Sequence, residues 1–333
     1  MVNSVRPLQL DSSISIATAA YGNATTTRLC LEALRASASG DFELLLIDDC
    51  SPDDGATAAL FAAVREYHAN TRIFRFTENL EYSGSVNAIL SHATGHWVLF
   101  VSNDIFITPA YLRALLEAAV ANPRAGILRG SSNFVDNGLV SHNIPPPQPV
   151  ENYPGLLACS EQVARQLGHT SGPDPFLVGD AFLVRRAVLE RIGTFDPLFF
   201  GYFADQDYGV RVRRAGFDLL FVPGAYAWHQ QDSNFAYLPE LQRSEKLSRR
   251  WQRIYENWAR FKLKYGLPVS LAFTSTLDVP WNTLASACFN AANDFCAPGD
   301  YSRYLTVQGQ RAQAGTAKDS GAAPARWRSY IVR

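Results

Sequence analysis

Three groups of carboxylates and one histidine stand where an apolar run gives way to a turn or a helix. The first, ELLLIDDCSPDD, carries a strand-like stretch straight into Asp48 and Asp49. At the carboxyl edge of a parallel sheet such side chains reach the crevice where ligands bind, although as plain cap or turn residues they need no ligand. The second, WVLFVSNDIFITP, ends in Ser102, Asn103 and Asp104. A hard divalent cation takes oxygen ligands, and one that also holds a diphosphate needs only one or two protein carboxylates. The third, FFGYFADQDYGVRVRRAG, sets Asp205 and Asp207 at the head of a helix, where the dipole favours acids by about 0.3–1 kcal/mol. Flanking aromatics and a second negative charge also raise a carboxyl toward the range of a general base. Lastly, AYAWHQQD puts His229 just after a strand, as a metal ligand or as an ordinary buried histidine.

Side chains so far apart in the chain do chemistry together only if a sheet gathers them. Short β-branched or apolar runs alternate with segments of helical spacing over the first 130 residues, the rhythm of βαβ units around a mostly parallel sheet. Strands are expected at Ile14–Ala20, Phe42–Ile47, Arg72–Phe76 and Trp97–Val101, and helices at Thr26–Ala36, Asp54–Tyr67, Ser85–His92 and Pro109–Ala121. Asp53 or Asp54 is placed to cap the second helix. From Val135 to Pro175, runs such as IPPPQP and SGPDP predict a long loop. Structure resumes with a strand in FLVGDAFLV, a helix from Arg186, a helix ending at Gly216 and a strand in LLFVP. Leu247, Trp251, Ile254, Trp258 and Phe261 then mark one face of a long helix over Pro239–Tyr265. Gly309–Ala325 lacks large apolar residues and is expected to be disordered.

Composition narrows the function. With 333 residues, 47% hydrophobic and 18% charged, the chain can bury a large core. A net charge of -1 supplies no general field for nucleic acid. Five scattered cysteines without a C-x-x-C pair suit a reducing cytoplasm rather than a disulfide framework or zinc knuckle. No apolar stretch is long enough to span a membrane. Between Glu240 and Lys264 eight Lys/Arg meet three Glu. A solvated face with internal pairing accounts for that excess, and peripheral contact with an anionic membrane surface is the alternative.

Taken in order, these segments resemble the family 2 glycosyltransferases of GT-A fold, inverting enzymes that use nucleotide sugars. ISIATAAYG, LLLIDDCSPDD, ENLEYSGSVNAIL, VLFVSNDIFITP, VGDAFLVRRAVLERIGTFDPLFFGYFADQDYGVRVRRAG and FVPGAYAWH carry the resemblance over Ser13–Gln231. It implies a Rossmann-like α/β sheet in residues 1–235, with the donor half at about 13–130 and the acceptor half at 131–235. A helical extension would follow at 236–308 and a disordered tail at 309–333.

The resemblance also implies roles. Asp49 would recognise the nucleobase beside the backbone of Thr18 to Tyr21, including Ala19. Asn79, Gly84 and Asn87 would shape the floor beneath the donor, and Asn103 would lie in the donor site. Asp104 matches the last acid of the D-x-D motif, the ligand of a divalent metal, Mg²⁺ or Mn²⁺, and His229 would complete that metal's shell. Asp205 matches the catalytic base. Asp180 and Trp228 are expected near the donor sugar or the acceptor, and Asp207 would hold the helix or the acceptor. Ser102 and Ala204 replace acids of the family pattern, which admits an inactive nucleotide- or glycan-binding scaffold as the alternative. A nucleotidyltransferase would open on a basic glycine-rich phosphate loop, and AAYGNATTT has none. The implied donor is a UDP-sugar or dTDP-rhamnose, and the acceptor a glycan or lipid-linked glycan. For the C-terminal region three roles stay open: covering the acceptor groove, pairing in a homo-oligomer, or touching the inner face of a membrane.

Overall fold

The computed structural model describes residues 6–135, 140–230 and 240–306. The strands are β1 (Leu8–Leu10), β2 (Ile14–Ala20), β3 (Ala38–Gly40), β4 (Glu43–Asp48), β5 (Thr71–Arg75), β6 (Trp97–Val101), β7 (Ile105–Phe106), β8 (Ala125–Ser132), β9 (Gly172–Pro173), β10 (Ala181–Arg185) and β11 (Asp218–His229). The helices are α1 (Ala24–Ser37), α2 (Ala56–Val64), α3 (Glu81–His92), α4 (Pro109–Ala121), α5 (Tyr153–Leu167), α6 (Arg186–Ile192), α7 (Ala204–Arg214), α8 (Glu240–Tyr265), α9 (Trp281–Ala285) and α10 (Ala291–Asp294).

One nine-stranded sheet runs β5-β4-β2-β6-β10-β8-β11-β7, with β9 beside β11. The four strands β5, β4, β2 and β6 are parallel, as are β8 and β11. Between those halves β10 lies antiparallel to both β6 and β8. The expectation of an α/β, mostly parallel sheet therefore holds, with an inverted strand at its centre. Strand β4 is buried along its whole length, as its unbroken apolar run requires when helices cover both faces. Of its two buried charged ends, Glu43 accepts from the Ser15 hydroxyl at 2.5 Å and from Arg72 at 2.8 Å.

Side-chain capping sets several of the helix starts. Asp53 accepts from the N–H of Thr57 at 3.0 Å, and Thr108 accepts from the N–H of Tyr111 at 3.1 Å ahead of Pro109. The expected loop over Val135–Pro175 is corrected, because α5 fills its middle. Asn152 caps it through the N–H of Gly155 at 2.9 Å, and Pro154 falls in the first turn, where a missing N–H costs nothing. Leu156, Cys159, Ser160 and Val163 make its buried face. Strand β8, absent from the sequence reading, pairs both β10 and β11. Strand β11 runs on past Pro223 by means of a register shift between Val222 and Tyr226, the position at which a strand tolerates proline. There a Cβ on Gly224 would sit 1.8 Å from the Gly168 carbonyl.

Helix α8 buries Ile254, Trp258 and Phe261, with the last two against Phe203 just ahead of α7. The structure uses much of its positive charge internally. Arg253 pairs with Glu81, Arg260 with Asn257, Lys262 with the Leu271 carbonyl and Lys264 with Asp196. Trp251 and Tyr255 on the same helix are exposed. Among the described residues no helix is long and apolar enough to cross a membrane. The boundary expected at 235/236 and the tail 309–333 lie outside the described residues.

Candidate active site

Strand β4 delivers Asp48 and Asp49 to the sheet's carboxyl edge, both buried. Asp48 accepts from the N–H of Ser51 at 2.9 Å and lies 3.4 Å from Arg75, so it shapes the turn. Asp49 accepts from the N–H of Leu80 at 2.7 Å, just before α3. Burial, helped by the charge of Asp48 and opposed by that N–H, raises its carboxyl to about 7. Next to it, Ala19 is half-buried at the end of β2, and Tyr21 beyond it is exposed.

Asp104 and His229 meet across the β7–β11 pair, where His229 is in register with Ile105. Their side chains lie 3.6 Å apart, from Asp104 Oδ2 to His229 Nε2. The N–H of Gln230 donates to the Asp104 carbonyl at 2.8 Å, and Asn133 clasps the His229 backbone through both its amide atoms at 2.7 and 3.1 Å. His229 Nδ1 faces the Phe134 carbonyl at 3.1 Å, which leaves Nε2 directed at Asp104. Burial disfavours the imidazolium, but the carboxylates of Asp104 and then Asp180 outweigh it and raise His229 to about 9.

Asp205 sits in the first turn of α7, buried. Its Oδ2 accepts from the N–H of Gly179 at 2.8 Å. Burial raises its carboxyl to about 7 against the pull of the Gly179, Asp205 and Gln206 N–H groups, and the charge of Asp180 adds to the rise. Asp180 is thus the link between the two acidic centres. Its backbone carbonyl accepts from the N–H of Ser102 at 2.9 Å, and its charge acts on both His229 and Asp205. Arg129, almost wholly buried, holds its carboxylate at 2.9 and 3.1 Å. The sequence reading missed Arg129 because β8 itself was missed.

Other expected site residues are engaged within the fold. Asn87 uses both amide atoms on the Phe195 backbone, at 2.7 and 3.1 Å. Asn103 donates to the Thr27 hydroxyl at 2.9 Å. Asn79 accepts from the N–H of Glu81 at 2.8 Å and so shapes the entry to α3, while Gly84 lets that helix close on Leu80, which a Cβ would meet at 2.4 Å. Trp228 is half-buried opposite Phe106. Asp207 turns inward. It is fully buried, accepting from Arg211 at 2.7 Å, from Lys264 at 2.5 Å and from Tyr265 at 2.8 Å. Burial opposes its charge, but Arg211 and Lys264 prevail and hold the carboxyl below its usual range. A short acid at that helical position fits an anchor as well as it fits a ligand, so the sequence alone could not separate the two.

Among the described residues no group of three or more His, Cys, Asp and Glu is placed to hold a metal ion. Two donors, Asp104 and His229, do face each other. A carboxylate and an imidazole whose other nitrogen is fixed on a carbonyl suit a divalent ion that draws its remaining ligands from phosphate and water.

Comparison with known proteins bears on the family and the fold. The N-acetylglucosaminyl-diphospho-decaprenol L-rhamnosyltransferase of Mycobacterium tuberculosis is 27% identical over 260 residues, 68% of this chain and 81% of the relative. The succinoglycan biosynthesis protein ExoO of Rhizobium meliloti is 32% identical over 108 residues, 32% of this chain and 30% of ExoO. In fold, the chain is similar to the mannosyltransferase PcManGT from Pyrobaculum calidifontis in complex with GDP-Man and Mn²⁺, with a TM-score of 0.50 and 17% identity. The match covers 75% of this chain and 64% of PcManGT. GalNAc-T7 with UDP, GalNAc and Mn²⁺ gives a TM-score of 0.51 at 16% identity, covering 65% of this chain and 42% of that one. The chain thus spans under two thirds of either solved protein. The family model for glycosyl transferase family 2 matches residues 15–193, more than half the chain. With its α/β sheet of GT-A type, this chain belongs to glycosyl transferase family 2 and is a glycosyltransferase.

Proposed function

We propose that the protein moves a sugar from a nucleoside diphosphate donor to a hydroxyl of a glycan or lipid-linked glycan, with inversion at the anomeric carbon. The observation that carries this reading is the pair of adjacent residues Gly179 and Asp180, which ties Asp205 to the Asp104–His229 pair. Base and leaving-group machinery therefore share one end of the sheet. Asp49 is the group that reads the nucleobase, as an acceptor held toward α3 by the N–H of Leu80. Asp104 and His229 would hold a divalent ion, Mg²⁺ or Mn²⁺, which when bound stabilises the charge of the departing diphosphate. Asp205 takes the proton of the acceptor hydroxyl as that oxygen attacks from the face opposite the diphosphate. Asp180, braced by Arg129, is placed to accept from sugar hydroxyls. The name of the mycobacterial relative puts L-rhamnose, carried as dTDP-rhamnose, beside the UDP-sugars as the donors to test first, and a polyprenyl-diphosphate glycan as the first acceptor.

The test is a thermal-shift panel of UDP-, dTDP- and GDP-sugars with and without Mn²⁺, followed by release of nucleoside diphosphate with lipid-linked acceptors. A ligand that binds the folded protein raises its melting temperature by mass action. One nucleotide class should do so only with metal present. No shift with any nucleotide would end the proposal, and binding without turnover on any acceptor or water would favour the scaffold alternative.

A further inference from the structure

The first turn of α3 is held from several directions. Glu81 adopts φ 56°, uncommon for a residue with a side chain. Its carboxylate pairs with Arg253 of α8, and the Ser83 hydroxyl accepts from the N–H of Gly201 at 3.0 Å. Between them Tyr82 points inward. Its ring lies edge-on to Phe100 at 5.8 Å and tilted on Phe195 at 5.9 Å. Its hydroxyl ends in a place without a hydrogen-bond partner among the described residues. Buried donors are seldom left so.

That place is beside the base. A Cβ on Gly179 would stand 1.7 Å from the Tyr82 hydroxyl and 3.1 Å from Asp205 Oδ2, so the absent side chain of Gly179 is what lets phenol and carboxylate approach the same point. The charged groups facing the phenol are Asp205 and Asp180, and both, with burial, keep it protonated.

Resting on the glycosyl-transfer reading, we propose that Tyr82 is a positioning residue for Asp205: in the working complex its phenol donates to the Asp205 carboxylate and turns the free lone pair toward the acceptor hydroxyl. The atoms balance simply. The acceptor O–H bond breaks and its proton passes to Asp205, the new C–O bond forms, the anomeric carbon–phosphate oxygen bond breaks, and the Tyr82 proton stays on the phenol. A donor to the carboxylate also favours its ionised form.

The experiment compares wild type, Tyr82→Phe, Asp205→Asn and the double variant in the full chain. Tyr82→Phe should lower kcat at least tenfold with donor KM within about twofold, and should move the acid limb of the pH–rate profile upward. In the Asp205→Asn background it should cost nothing more. An unchanged kcat and acid limb, or a full further loss in that background, would overturn the role. A readout independent of turnover is the Asp205 carboxyl titration followed by ¹³C NMR with nucleotide bound. A titration midpoint that stays put in Tyr82→Phe rejects Tyr82 even if no sugar is ever transferred, whereas inactive wild type with a shifted midpoint rejects the donor or acceptor assignment instead.

Discussion

Asp104 and His229 face each other at 3.6 Å across the β7–β11 ladder, with the far nitrogen of the imidazole against the Phe134 carbonyl. On the proposed reading this pair would hold a divalent ion jointly with a diphosphate. Asp104→Ala should therefore abolish the metal-dependent part of nucleotide binding, and His229→Ala should weaken it by about 10–100-fold, a range typical for groups that tune a metal site. Calorimetry with and without Mn²⁺ measures both. Equal affinities with and without Mn²⁺ in wild type would remove the assignment.

Asp205→Asn should cut turnover by about 10²–10⁴ with nucleotide affinity retained. In wild type the rate should fall as pH drops below about 7, where this carboxyl gains its proton. The same substitution should change stability with a definite sign. A carboxyl raised in the fold favours the native state below its unfolded value and loses that advantage as pH rises through about 7. Denaturation at pH 8 should thus find Asp205→Asn more stable than wild type by about 1–3 kcal/mol, the gap closing near pH 4.

Asp49→Ala removes the acceptor of the Leu80 N–H and, on the proposed reading, of the nucleobase. A polar partner left unpaired costs about 1–3 kcal/mol. Competition assays should show the preferred nucleotide bound more weakly and the others little changed, so that selectivity narrows. A uniform loss across all bases would instead locate the effect in the entry to α3.

Asp207→Ala tests a structural role. With Arg211 left buried without a carboxylate and Lys264 left to Asp196 alone, unfolding free energy should fall by about 3–5 kcal/mol. Urea titration measures that loss, and whatever folded protein remains should bind nucleotide normally.

The βα rhythm of residues 14–121 was legible because apolar runs, caps and Pro109 all agree, and β2, β6 and α4 fall where the spacing puts them. Asp49, Asp104, Asp205 and His229 were legible as acids or a histidine at element ends, which is where strands hand side chains to a crevice. Less accessible was anything decided by partners. Asp205 and Asp207 are alike in sequence, yet one meets backbone N–H groups and the other Arg211 and Lys264, the latter 57 residues away in the chain. Helix α5 was hidden because prolines before and inside its first turn look like breakers, although Leu156, Cys159 and Val163 keep helical spacing. The inverted strand β10 could not be foreseen from local pattern, since its direction is fixed only by β6 and β8.

The family match stops at residue 193, but the backbone does not treat that point as an edge. Gly193 forms a bridge with Cys296, whose N–H donates to Ile192 at 3.0 Å and whose carbonyl accepts from Thr194 at 2.9 Å. A protein excised at residue 193 would lose the segment that clasps its own last turn, together with Asp205 itself. Chimeras meant to exchange sugar preference between relatives should accordingly carry residues up to Cys296 as one graft.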